Sequence, residues 1–238
     1  MISNTLLSLV LAASSLTAGV YGRTVPANVQ AFYNQVKGGS CPHVLKSGLS
    51  KGSGTGNFAY CANAANTVMW IGGPSTLADM DVDCDGANRS GGKCANDPSG
   101  QSMTSFMDEL PAFGIPDLDA NIHSYVVLGT DNFDPKSFGI QSLSVVAVVC
   151  GTKMFYGVWG DTNGAKSVGE SSLALATACF GTGMSGDNGH EETDVLYLAF
   201  PGSAAKIGSK ANWKATSFTT FEASLATVGD ALVAQLKL

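Results

Sequence analysis

Apolar residues recur along this chain in two rhythms. Near the start, Val29, Phe32, Tyr33 and Val36 fall at i, i+3, i+4 and i+7 behind Pro26 and ahead of Gly38-Gly39, predicting a helix over 26–37. Near the end, Phe221, Leu225, Val228, Leu232 and Leu236 form one stripe and predict a helix over about 218–236. Between them, β-branched and aromatic runs predict strands at 67–71, 77–84, 123–128, 143–150, 154–159 and 194–200. The run LSVVAVVC, residues 143–150, is apolar throughout, which predicts burial on both faces, and Gly151-Thr152-Lys153 links it to the next run as a hairpin. A short helix is expected over 171–180, stopped by Gly181. The segments SGLSKGSGTGNF and GANRSGGKCANDPSGQ read as exposed loops, the first of them mobile. Strands and helices mix without regular βαβ alternation. The expected fold class is therefore α+β, a β-rich single domain with a mixed or barrel-like sheet and a few flanking helices.

A length of 238 residues at 45% hydrophobic and 13% charged suits one domain with a sizeable core. Residues 1–22 carry no charged side chain, and the apolar run Leu6–Leu16 ends in Thr17, Ala18 and Gly19. That run is short for a bilayer span and reads as a secretory signal, which leaves 23–238 as the single domain; a buried N-terminal helix is the alternative. No later stretch is long and apolar enough to cross a membrane. Cys41, Cys61, Cys84, Cys94, Cys150 and Cys179 form an even set without CxxC spacing, so three disulfides are expected, in one of 15 pairings. Zinc is a poor alternative, because none of the three histidines stands at ligand spacing from a cysteine.

The formal charge of −6, with 19 acids against 13 bases and only Arg23 and Arg89 as arginines, argues against a nucleic-acid partner. It is compatible with a cationic one. GxSxG, P-loop and dinucleotide motifs are absent from the sequence, and neither a cofactor nor a metal is expected.

The candidate chemistry is acidic. In YGVWGDTNGAKSVGESSLALATACFG, Asp161 ends an apolar strand and Glu170 stands nine residues later, just ahead of the predicted helix. Paired carboxyls are what glycosidic cleavage needs: one to protonate the leaving oxygen, the other to activate water or attack the sugar. Turn chemistry at Asp161-Thr162-Asn163-Gly164 and a helix-dipole role for Glu170 also account for them. Trp159 beside them is a core residue or a sugar-stacking platform. A second constellation, ADMDVDCDG, sets Asp79, Asp81, Asp83 and Asp85 at alternate positions, all on one strand face if the strand is regular, with Met80, Val82 and Cys84 behind. That face is a solvated strand, the negative wall of a substrate cleft or an irregular cation site. Its DxDxDG opening also resembles a calcium loop, but the twelfth position, where such a loop needs glutamate, is Gly92. His190 with Glu191, Glu192 and Asp194 reads as a proton relay, a metal cluster or an exposed loop, and Asn88-Arg89-Ser90 is a glycosylation sequon.

The segments LADMDVDCDG, YGVWGDTNG, VGESSLALATACFG and DVLYLAFPGS, in this order, resemble the fungal chitosanases of glycoside hydrolase family 75, over nearly all of the chain after the leader. The resemblance implies a secreted enzyme that makes internal cuts at the β-1,4 linkages of chitosan, a cationic polysaccharide, with inversion at the anomeric carbon. It places the catalytic pair on Asp161 and Glu170, aspartate as base and glutamate as proton donor. A carboxylate at a helix N-terminus should stay ionised, however, which would make Glu170 the base. Inversion further requires the two carboxyls to be about 6.5–9.5 Å apart and so not direct cross-strand partners. A monomer is expected, with Asp79, Asp81, Asp83, Asp85 and Trp159 as substrate-binding residues. The alternatives are a non-catalytic secreted polysaccharide-binding protein and a calcium-stabilised hydrolase of another polymer.

Overall fold

The structure, a computed structural model, describes residues 22–237 except 53 and 55, so the expected secretory segment lies outside the described residues but for Gly22. Ten strands form one sheet: β1 (Arg23–Thr24), β2 (His43–Leu49), β3 (Phe58–Ala62), β4 (Met69–Gly72), β5 (Ala78–Asp83), β6 (Tyr125–Gly129), β7 (Val145–Cys150), β8 (Lys153–Asn163), β9 (Glu170–Ser172) and β10 (Gly189–Ala199). Three α-helices accompany them, α1 (Ala27–Val36), α2 (Leu173–Phe180) and α3 (Phe218–Ala234), together with short 3₁₀ turns.

Six of the strands close on themselves in the order β8–β6–β9–β5–β10–β7 and back to β8. Two neighbouring pairs, β6/β8 and β5/β9, run parallel and the other four antiparallel, so the barrel is mixed. The remaining strands β4, β3 and β2 extend outward from β10 as an antiparallel apron, and β1 pairs with the start of β8. Closure removes the strand edges inside the ring, where all six residues of β7 are buried, as its unbroken apolar run requires. Helix α3 packs across β7 and β8, with Phe221, Leu225, Val228 and Leu232 buried. Its start is capped by Ser217, whose hydroxyl accepts the Thr220 N–H. Helix α1 buries Val29, Phe32 and Val36 and sets Phe32 edge-on against Trp70, with ring centroids 5.1 Å apart.

Three disulfides are formed, Cys41–Cys61, Cys84–Cys94 and Cys150–Cys179. The second ties the end of β5 to the 3₁₀ turn Gly92–Asn96, and the third ties β7 to α2.

The segment expected to be an open loop over SGLSKGSGTGNF instead begins inside β2 and ends by entering β3. Ser50 pairs with the chain ahead of β9, accepting the Val168 N–H at 2.9 Å and donating its own N–H to Lys166 at 2.9 Å. Strand β2 escaped notice because it is half-exposed and mixed in polarity, without a two-residue rhythm. The helix expected from 171 starts at Leu173, because Glu170–Ser172 is drawn into the barrel between β5 and β6. Likewise β8 runs on to Asn163, so Asp161 is a strand residue and the turn begins at Gly164.

Candidate active site

The closing strands bring Asp161 and Glu170 to one cleft. Val127 of β6 is the register partner of Asp161 on β8 and also of Glu170 on β9. The two acids therefore stand either side of Val127, two inter-strand steps apart, roughly 9–10 Å between their Cα atoms. They are not direct partners of one another, as inversion would require. All three residues line a polar cavity of about 180 Å³ with Asp83, Asp85 and Asp97.

A bulge aims Asp161. The register with β6 jumps from Val126/Trp159 to Val127/Asp161 and leaves Gly160 as the extra residue. A side chain at Gly160 would sit 2.5 Å from Leu118 Cδ1 and 2.7 Å from Tyr125 Cβ, so the bulge requires glycine. Trp159, on the other side of the bulge, is 1% exposed and packs edge-on against Phe106 at 4.9 Å. Its indole N–H donates to the Asp161 carbonyl at 2.8 Å. Trp159 thus supports the strand from behind: it does not line the acidic cleft, and only an edge of its nearly buried ring borders the neighbouring cavity beside Phe106.

Asp161 lies at the cleft floor, 3% exposed, and one oxygen, Oδ1, accepts three hydrogen bonds: from Ser105 N–H at 2.8 Å, Ser105 Oγ at 2.5 Å and Thr162 N–H at 2.7 Å. Burial pushes its pKa up while these donors pull it back. Glu170 is half-buried and receives the Asn163 amide at 3.1 and 3.3 Å. Burial raises its pKa too, opposed by Asn163 and reinforced by the charges of Asp81 and Asp161. Because Glu170 sits in β9 and the helix cap is Ser172, the helix-dipole argument for an ionised Glu170 does not hold.

The alternating aspartates divide. Asp83 and Asp85 line the cleft, and Asp97 joins them, with one oxygen of each lying within 4.8 Å of the others, close enough to surround one cationic group. Burial holds Asp83 well above the usual carboxylate range. It also pushes Asp85 up to about 7, with the neighbouring charge of Asp161 adding to the shift. Asp81 is the register partner of Glu170, half-buried beside it. Asp79 does not reach the cleft: it is 1% exposed, 3.7 Å from Lys51 Nζ, with its other oxygen buried against Gly169. Its inclusion among substrate-binding residues is therefore corrected. The His190 group lies at the start of β10, with His190 stacked on Phe180 at 3.7 Å and bonded to Asp194 at 2.8 Å, and none of it lines the cleft. Asp97, Ser105 and Asn163 were not singled out from sequence. Asp97 and Ser105 come from remote loops that carry no local signal, while Asn163 lay inside an apparent turn.

A polar cleft with a buried and a half-buried carboxyl held apart by one strand, and further acids along its wall, equips a glycoside hydrolase, and that is the class of this enzyme. A sequence profile described as fungal chitosanase of glycosyl hydrolase group 75 matches residues 80–235. An endo-chitosanase of Aspergillus oryzae (strain ATCC 42149 / RIB 40) is 46% identical over 239 residues, covering 95% of this chain and 98% of that protein. Endo-chitosanase B of the same strain is 46% identical over 236 residues, covering 94% and 97%. An endo-chitosanase of Aspergillus fumigatus is 44% identical over 230 residues, covering 94% and 96%. The chain belongs to the fungal chitosanases of glycosyl hydrolase group 75.

Proposed function

We propose that this chain is a secreted endo-chitosanase that hydrolyses β-1,4 glucosaminyl linkages with inversion, Glu170 acting as acid and Asp161 as base. The observation that carries the reading is that both carboxyls line one cleft either side of Val127 and are not direct cross-strand partners. The names of the relatives supply the substrate class, and three disulfides support an oxidising destination.

The chemistry runs in one displacement. Glu170, whose pKa is raised by burial and neighbouring negative charge, gives its proton to the bridging oxygen as the bond to the anomeric carbon breaks. Asp161, whose three donors favour the carboxylate, takes a proton from the water that attacks the opposite face. Asp83, Asp85 and Asp97 offer acceptors for the ammonium of a glucosamine unit.

Asp161→Asn and Glu170→Gln should each reduce release of reducing ends from soluble chitosan by about 10²–10⁴-fold, with circular dichroism unchanged. Substantial turnover by Asp161→Asn would remove Asp161 from the reaction. NMR of the first products should show the α-anomer at the new reducing end, and accumulation of the β-anomer would contradict inversion.

A further inference from the structure

A second cavity, of about 430 Å³, adjoins the catalytic cleft, and Thr162, next to Asp161, lines both. Phe106, Phe133, Thr130, Asp134, Lys136 and an edge of the nearly buried Trp159 complete its wall. The two chambers differ in charge. Five carboxyls, those of Asp83, Asp85, Asp97, Asp161 and Glu170, line the first and no basic residue does. In the second, Asp134 and Lys136 cancel, and the Asp134 carboxylate is engaged in accepting the Lys136 backbone N–H at 2.9 Å. The Lys136 ammonium lies 5.2 Å from the Phe106 ring centroid, so an incoming ammonium would meet a like charge. Phe133 is half-buried, braced by Tyr60 at 5.5 Å, and gives the chamber an apolar wall.

We infer that the chamber bounded by Phe106, Phe133 and Lys136 is a sugar subsite that accepts an uncharged, N-acetylated unit next to the catalytic aspartate. The inference rests on the chitosanase reading above. The ring face and acetyl methyl of N-acetylglucosamine suit an aromatic wall, whereas a glucosamine ammonium gains nothing beside Lys136. The neighbouring acidic chamber has the opposite preference. An enzyme so built still cuts between two glucosamine units but cuts faster where a glucosamine unit fills the acidic chamber and the unit across Asp161 is acetylated.

The test is digestion of chitosan that is about half acetylated, in ¹⁸O-labelled water to mark the new reducing ends, followed by mass-spectrometric sequencing of both new termini. Expected for the wild type is enrichment of N-acetylglucosamine at one terminus and glucosamine at the other. Lys136→Glu should lower the ratio of acetylated to free units at the first terminus by about tenfold, the effect of about 1.4 kcal/mol. Phe133→Ala should lower the same ratio and raise KM on the acetylated polymer more than on the fully deacetylated one. Equal acetylation at both wild-type termini, or a terminal ratio that neither substitution moves, would overturn the subsite. Failure of the wild type to cut fully deacetylated chitosan would instead sink the chitosanase reading.

Discussion

In the proposed mechanism, two donor sets distinguish the two acids. Ser105 gives Asp161 both a backbone and a hydroxyl hydrogen bond, and Asn163 gives its amide to Glu170. Each donor favours the ionised form of its partner, so removing it raises that partner's pKa. A base works only when ionised, so Ser105→Ala should move the acid limb of the kcat/KM profile up by about one pH unit. An acid works only when protonated, so Asn163→Ala should move the alkaline limb up by about one unit. If Glu170 were the base, the two limbs would exchange, and that exchange would reverse the assigned roles. Asp161 and Glu170 were legible in the sequence because two carboxyls near a strand end and a helix start form a local pattern. Asp97 and Ser105 were not: the disulfide Cys84–Cys94 and the folding of the 99–119 loop deliver them from positions without rhythm.

Strand β9 has three residues, of which only Glu170 reaches the cleft. No intrinsic preference makes Glu-Ser-Ser a strand, which explains why the sequence suggested a helix start there. Its partners impose the conformation: Asp81 and Val127 pair with Glu170 from either side, and Asp81 N–H donates to the Gly169 carbonyl at 2.7 Å. Gly169 is the hinge into this strand, at φ +95°, where a side chain would lie 2.3 Å from Asp79 Oδ1. An alanine there meets both an unfavourable backbone region and a buried carboxyl that cannot retreat. Gly169→Ala should therefore destabilise the fold by about 1–3 kcal/mol. Because the strain displaces Glu170, it should also lower kcat more than tenfold while KM changes less. Thermal unfolding and steady-state kinetics check both parts, and a variant with wild-type kcat would show that β9 holds Glu170 without help from Gly169.

The apolar runs announced most of the strands, but not the order in which they close. That order includes two parallel pairs between strands far apart in sequence, and it depends on long-range packing that no local window contains. Closure concentrates charge. Asp79, Asp81, Asp83, Asp85, Asp161 and Glu170 all come to lie on or beside β5, β9 and β8, three of four neighbouring strands with β6 between the last two, and burial raises the pKa of every one. Lys51 is the nearest cation to Asp79 and Asp81 and only partly offsets this. Consider Asp79, whose carboxyl is pushed from 3.8 up to about 7, first by burial and then by Asp81. Between those values the folded chain holds a proton that the unfolded chain has released, so the folded state binds more protons and loses stability as pH rises. Asp85, also pushed up to about 7, acts in the same direction. Glu109 runs the other way, lowered overall by Ser142 and Lys206 against the upward pull of burial, but its effect belongs to pH near and below 4.5. His123, lowered from 6.5 by burial, opposes the acids below about pH 6.5, but it is one group against several. Melting temperature should therefore fall between about pH 5 and about pH 8, most clearly above pH 6.5. Asp79→Asn, which keeps the shape and removes the ionisation, should flatten that slope. A melting temperature constant or rising across this interval would mean that the acids along the barrel are ionised throughout, and that solvent or a bound cation relieves their repulsion.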